Sequence, residues 1–442
     1  MFSGKVRVRR PGLSVRRPGL LAPALFAMVC AVMAAQTPPQ QAPQPQRPVF
    51  RSSVQTIEVD VRVFDKDGTF VSDLKQEDFE VLEDGVPQPV QTVFIVESES
   101  PRRPSSPSGP SSPSSPSSPS ALPVIAARQS WLFFFDLNHI TPGRSFDAAR
   151  KAVKAFIASR LQDGDHAGIV AGDKLLNNRL TSVRTELLAA LEQVKPKSET
   201  RSRLLSLTRE WPRFQDEEEA IRVAKNEPEA TARAIARAKA EEPDSPPDPE
   251  SIVRSKAISA QQDAHRAVNQ TLASLAALAS GLARIPGPKT IVFVSEGFVV
   301  QDVDMLLRAV ADRTARAGAR VYAIDLRGLG RGIGSGILEQ HAGDAYTSSP
   351  KFDVMADGTN SLAADTGGLL IRNENNFDRA IERIADDASR AYVLTYHAPN
   401  TNYDGKFRKI EVRVKRPDVT VRARRGYLAI DPAKMLSPQP VK

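Results

Sequence analysis

Residues 131–136 read Trp131-Leu132-Phe133-Phe134-Phe135-Asp136, five consecutive apolar side chains ending on a carboxylate. A strand with one wet face alternates apolar and polar residues. An unbroken run is the pattern of a strand covered on both faces, as in a parallel sheet flanked by helices. The flanking sequence agrees. Residues 142–161 put Phe146, Ala149, Val153, Phe156 and Ile157 on one helical stripe. Asp163-Gly164-Asp165 turns into a short strand at 167–171, and 181–194 has helical spacing. Further on, helices are expected at 264–282, 303–317, 362–364 and 377–391, with strands at 290–294, 320–325 and 392–396. Alternating strands and helices predict an α/β domain over 125–400 with a mostly parallel central sheet and right-handed crossovers.

Residues 195–262 interrupt that alternation. Acid runs (Glu217-Glu218-Glu219, Glu241-Glu242), an alanine-rich stretch at 230–240 and a Pro-rich end at 243–249 predict a charged, partly helical, solvent-facing insertion. On the N-terminal side, residues 51–97 form a small β domain. Val54, Ile57, Val59, Val61 and Val63 include a period-two run, and turns follow at Asp65-Lys66-Asp67-Gly68 and Glu83-Asp84-Gly85. Asp65 and Asp67 lack the distant glutamate of a calcium loop, so a hairpin turn is the reading. A Ser/Pro-rich linker at 98–124 separates this domain from the α/β region. Residues 401–430 read as a C-terminal β-hairpin, with Ile410, Val412 and Val414, then Val419, Val421 and Ala423, alternating with charged partners; 431–442 is a tail.

The N-terminus has the layout of an export signal. Residues 1–35 combine Lys5, Arg7, Arg9, Arg10, Arg16 and Arg17 with an apolar stretch at 20–35, which is shorter than the roughly 20 residues a membrane span needs. Cleavage after it leaves no stable membrane span and places the chain in the periplasm, the cell envelope or the medium. A Pro/Gln spacer covers 36–50. The whole chain has 60 Lys+Arg, 52 Asp+Glu and a net charge of +8, yet losing the six basic residues of the signal leaves 54 against 52. A net charge of +2 does not call for a nucleic-acid partner. The single cysteine, Cys30, leaves with the signal, which excludes a disulfide framework and a Cys-based zinc site.

The order of these segments resembles the von Willebrand factor A fold, and more closely the VWFA-related proteins abundant in Acidobacteria. Five stretches carry the likeness. They are Val71-Ser72-Asp73-Leu74 with Glu77-Asp78-Phe79 and Glu83-Asp84-Gly85; Phe134-Phe135-Asp136; residues 287–297 ending in Ser295-Glu296-Gly297; Leu362-Ala363-Ala364-Asp365-Thr366-Gly367-Gly368; and Tyr392-Val393-Leu394-Thr395-Tyr396 with Asp404-Gly405-Lys406-Phe407-Arg408 and Arg424-Arg425-Gly426-Tyr427. The resemblance implies a Rossmann-like domain whose sheet edge presents Asp-x-Ser-x-Ser, a Thr and an Asp to a divalent cation, normally Mg²⁺, and through it to a partner's carboxylate.

Here that motif reads Asp136-Leu137-Asn138-His139-Ile140. Asp136 is retained, Asn138 offers a carbonyl oxygen, Ile140 offers nothing, and Glu296 stands where Asp is usual. Thr141 lies one residue late, and Thr181 is a poor substitute for the missing Thr because it precedes a helix. The expected site is therefore Asp136, Asn138 and Glu296, holding a divalent cation weakly or not at all. Alternatively, Asp136 and Asn138 cap the following turn and helix. His139, with no second histidine nearby in sequence, reads as a loop residue.

Nothing in the chain marks a catalytic constellation. The five histidines show no paired spacing, and Ser335 in Gly334-Ser335-Gly336 lacks the context of a nucleophile elbow. The alternating glycines from Gly328 to Gly336 fit no phosphate-binding fingerprint. The expected function is an exported, non-enzymatic protein-binding or adhesion module acting at the sheet edge. The alternatives are an envelope scaffold working through 195–262 without metal, and an envelope hydrolase.

Overall fold

A computed structural model describes residues 55–98, 122–243, 248–299, 303–327, 354–400 and 402–431. The expected signal at 1–35, the spacer at 36–50, nearly all of the 98–124 linker, the glycine-rich loop at 328–336 and nearly all of the 431–442 tail lie outside them. In chain order the elements are β1 (Thr56–Phe64), β2 (Phe79–Glu83), β3 (Val86–Gln88), β4 (Val90–Ser98), β5 (Val124–Ala127), β6 (Ser130–Phe135), α1 (Arg144–Ser159), β7 (His166–Ala171), β8 (Lys174–Leu175), α2 (Arg184–Glu192), α3 (Ser198–Arg209), α4 (Glu217–Ala224), α5 (Pro228–Glu241), α6 (Pro249–Leu282), β9 (Lys289–Ser295), α7 (Asp304–Arg316), β10 (Ala319–Asp325), α8 (Val354–Asp365), β11 (Leu370–Ile371), α9 (Phe377–Ala388), β12 (Arg390–His397), β13 (Phe407–Val414), β14 (Thr420–Ala423) and β15 (Gly426–Leu428).

The apolar run is β6, at the middle of a six-stranded sheet of order β11-β10-β9-β6-β7-β8. Every pairing in it is parallel except that of the short edge strand β8. Trp131, Phe133 and Phe135 enter the core under α1, α2 and α9. Leu132 and Phe134 enter the opposite core, under α6, α7 and α8. Both faces of β6 are dry, so each residue has a core to fill, and each fully buried side chain of this size contributes about 1.5–3 kcal/mol.

The remaining strands form a second layer pair. A five-stranded sheet (β14-β1-β12-β4-β5) and a four-stranded sheet (β15-β13-β2-β3) enclose a shared core of Val59, Val61, Val81, Val93, Leu394 and Tyr427, among others. Two sequence readings are corrected here. Tyr392–Tyr396 does not join the parallel sheet: β12 pairs antiparallel with β1 and β4, between them. The last strand of the parallel sheet is instead the two-residue β11. The C-terminal segment is not a simple hairpin either. β13 pairs with β2 and β15, whereas β14 pairs with β1, in the other sheet. The apolar faces of both segments need cover, and each finds it on a different N-terminal strand.

The motif glycines have steric reasons. A Cβ at Gly368 would sit 1.9 Å from the Val321 carbonyl oxygen, and Gly367 adopts φ +79° beside the Arg424 backbone. Only glycine lets α8 turn into β11 this close to β10.

Residues 195–262 are also more ordered than a solvated excursion. Leu207, Phe214, Ala220, Val223, Ala230, Ala234, Ala238, Val253 and Ala257 form a separate core among α3, α4, α5 and the first half of α6. The second half of α6 packs Val268, Leu272 and Leu275 on the parallel sheet. One 34-residue helix thus joins the insertion to the main core. Among the described residues no helix is long and apolar enough to cross a membrane.

Candidate functional site

In open α/β sheets the ligand crevice lies at the C-terminal ends of the strands, where the chain reverses its direction of travel across the sheet. From β6 the chain moves to β7 on one side and later returns to β9 on the other. The switch point is therefore between β6 and β9; Asp136 follows β6, and Ser295 ends β9 with Glu296 next.

Asp136 is fully buried. Its Oδ1 accepts from Thr271 Oγ1 at 2.7 Å. Its Oδ2 accepts from Ser295 Oγ at 2.9 Å and lies 2.7 Å from His139 Nδ1. Ser295 Oγ in turn accepts from the Gly297 N–H at 3.0 Å. Burial pushes the Asp136 carboxyl up, but His139 and the two hydroxyl donors outweigh it and hold the group below the ordinary aspartate range.

Asn138, also buried, joins the same network. Its Nδ2 donates to Thr271 Oγ1 at 3.0 Å, and its Oδ1 accepts from Lys197 Nζ at 2.7 Å. Glu296 does not join it. Its Oε1 accepts from the Thr141 N–H at 2.8 Å and from the Thr141 hydroxyl. Of the three expected site residues, Asp136 and Asn138 share one network, and Glu296 forms a separate pair beside it.

Neither Asp136 nor Asn138 caps α1, whose N-cap is Gly143 and has no side-chain cap. Thr181 is bridged through its backbone to Ala167, at the opposite end of the sheet. The residues that complete the network were not singled out from sequence. Thr271 lies 135 positions from Asp136 on a helix of ordinary spacing, and Lys197 comes from the insertion. Ser295 was visible in the Ser295-Glu296-Gly297 motif, but only Glu296 was read from it as a ligand. The i,i+3 spacing of Asp136 and His139 was the one local signal for their contact.

His139 is also buried, and the Phe298 ring packs against it at a tilt of 38°, with ring centroids 5.5 Å apart. Among the described residues its Nε2 has no hydrogen-bond partner. The ring borders a cavity of about 10 Å³, near the minimum for one water, shared with Glu217, His265 and Phe298. Among the described residues no three His, Cys, Asp or Glu side chains gather as a metal cluster.

A hard divalent cation needs oxygen lone pairs free to face it. Three of the roughly four acceptor positions of the Asp136 carboxylate are already directed at protein groups. The Asn138 carbonyl faces an ammonium, and Glu296 faces Thr141. As arranged, these residues do not fit a bound divalent cation.

Five of the basic residues of 406–425 are paired with carboxylates. Arg408 pairs with Asp404, Arg413 with Glu411, Arg416 with Asp73, Arg422 with Asp387 and Arg425 with Asp365.

No family model and no curated protein matches the sequence. Two solved structures align with 59% of this chain and 98% of their own, each with a TM-score of 0.28. One is an aerotolerance-related membrane protein from Bacteroides fragilis carrying multiple mutations to serines, 15% identical. The other is the conserved hypothetical protein BatB from Bacteroides thetaiotaomicron, 13% identical.

Proposed function

We propose that this chain is an exported, non-enzymatic protein-binding module of von Willebrand factor A-like architecture that works without a divalent cation. Its partner surface, on this reading, is the helical insertion and not the sheet edge. One observation carries the proposal: the polar atoms of Asp136 and Asn138 at the switch point are turned inward onto Thr271, Ser295, His139 and Lys197, leaving a partner's carboxylate nothing to bridge to. The insertion, by contrast, has a core of its own and presents exposed side chains such as Ile258, which is 46% exposed.

Two measurements test this. Isothermal titration of the mature chain with Mg²⁺, Mn²⁺ and Ca²⁺ is expected to show no saturable heat. Binding that Asp136→Ala abolishes would restore the cation-dependent reading. Crosslinking in an envelope fraction is expected to give a discrete partner that Ile258→Asp removes and Glu296→Ala leaves in place. The reverse pattern would return the binding surface to the sheet edge.

A further inference from the structure

The crevice polar groups form a directed chain. Lys197 Nζ donates to the Asn138 carbonyl, the Asn138 amide donates to Thr271 Oγ1, and Thr271 donates to Asp136 Oδ1, at 2.7, 3.0 and 2.7 Å. Every hydrogen runs from the ammonium toward the carboxylate. Such chains polarise their members cooperatively. The ammonium also decides which way the Asn138 amide faces, and with it where the Thr271 proton goes.

Lys197 is the residue immediately before α3. In the first turn of α3, Thr200 Oγ1 donates to the Leu137 carbonyl at 3.1 Å. The insertion therefore grips the 137–138 loop at two adjacent points, one charged and one neutral. The crevice also holds two carboxylates, Asp136 and Glu296.

We propose that Lys197 is a tethered cation. Its ammonium takes the electrostatic role of a bound ion in the switch-point crevice and, with Thr200, latches the inserted helices over it. The crevice ligand is thus a segment of the same chain. The inference rests on the cation-independent reading above and adds to it the group that stands in for the metal.

Chemical rescue tests it. In the full mature chain, Lys197→Ala is expected to speed amide hydrogen exchange of residues 137–141 and 198–203 roughly tenfold, leaving the six-stranded sheet unchanged. Added n-propylammonium should restore protection, because it can donate N–H to Asn138. Tetramethylammonium at equal ionic strength, which has no N–H, should not. Unchanged exchange in Lys197→Ala overturns the latch. Faster exchange that neither ammonium corrects, or that both correct equally, overturns the tethered-cation role. If Lys197→Ala does not fold, Lys197→Met keeps the apolar stem, and faster exchange confined to the same two segments supports the latch while unchanged exchange overturns it. Divalent-cation binding by the wild-type chain would instead count against the cation-independent module itself, so the two failures are distinguishable.

Discussion

Asp387→Ala should lower the unfolding free energy by about 3–5 kcal/mol, the usual cost of removing one partner from a buried ion network. Asp387 lies at the junction between the parallel sheet and the antiparallel layers and is 8% exposed. Its Oδ2 accepts from Tyr322 OH at 2.7 Å and lies 3.4 Å from Arg62 Nε; its Oδ1 accepts from Arg422 Nη2. Arg62 is fully buried, and burial pushes both Arg62 and Arg422 down to about 10. Without Asp387, these guanidiniums lose their shared counter-ion, with Arg62 fully buried and Arg422 largely so. Asp387→Asn keeps an acceptor but not the charge and should cost less. Urea unfolding with an unchanged slope is the measurement. A loss below about 1 kcal/mol for the alanine variant would show that the network is not held by this residue.

Asp136→Ala should cost a similar amount, about 3–5 kcal/mol, because it strands three buried groups, His139, Thr271 and Ser295, at once. This loss is also predicted to depend on pH. The Asp136 pKa is depressed in the fold, so its contribution is present above the ordinary aspartate value and disappears as pH falls through the lower folded value. Wild-type stability should therefore decline on the acid side more steeply than that of Asp136→Asn, which has no carboxyl there to titrate. Parallel acid limbs for the two proteins would contradict the assignment. If Asp136→Ala proved harmless at neutral pH, the carboxylate would have to be satisfied by something other than these three side chains.

Both predictions turn on residues whose partners are distant in sequence. The run at 131–135 announced a strand covered on both faces because its side chains alternate between two dry cores, and that much is local chemistry. Alternation likewise marked the apolar face of β1, where Val59, Val61 and Val63 are buried. Its other face, with Asp60 and Arg62, has the same polar pattern that a solvated face would have. In the fold it is docked: Arg320 pairs with Asp60, and Arg62 donates to the carbonyls of Asp387 and Gly367. Period-two patterning reports that a face is polar, not whether water or an opposing charge satisfies it.

The site divides in the same way. Asp136, Asn138 and Glu296 were legible through the likeness of Asp136-Leu137-Asn138-His139-Ile140 and Ser295-Glu296-Gly297 to the motifs of the resembled fold. What they bind was not legible. Thr271 reaches Asp136 only because the second half of α6 lies on the sheet, and Lys197 reaches Asn138 only because the insertion folds back over the crevice. The sequence by itself determined the two-faced strand and the alternation of elements, since these depend on spacing of about 2 or 3.6 residues. Only the tertiary structure decided that β12 leaves the parallel sheet, that the terminal strands part company, and that an internal ammonium faces Asn138. Those outcomes are set by which exposed edges and unpaired charges meet across long stretches of chain, and local periodicity carries no record of that.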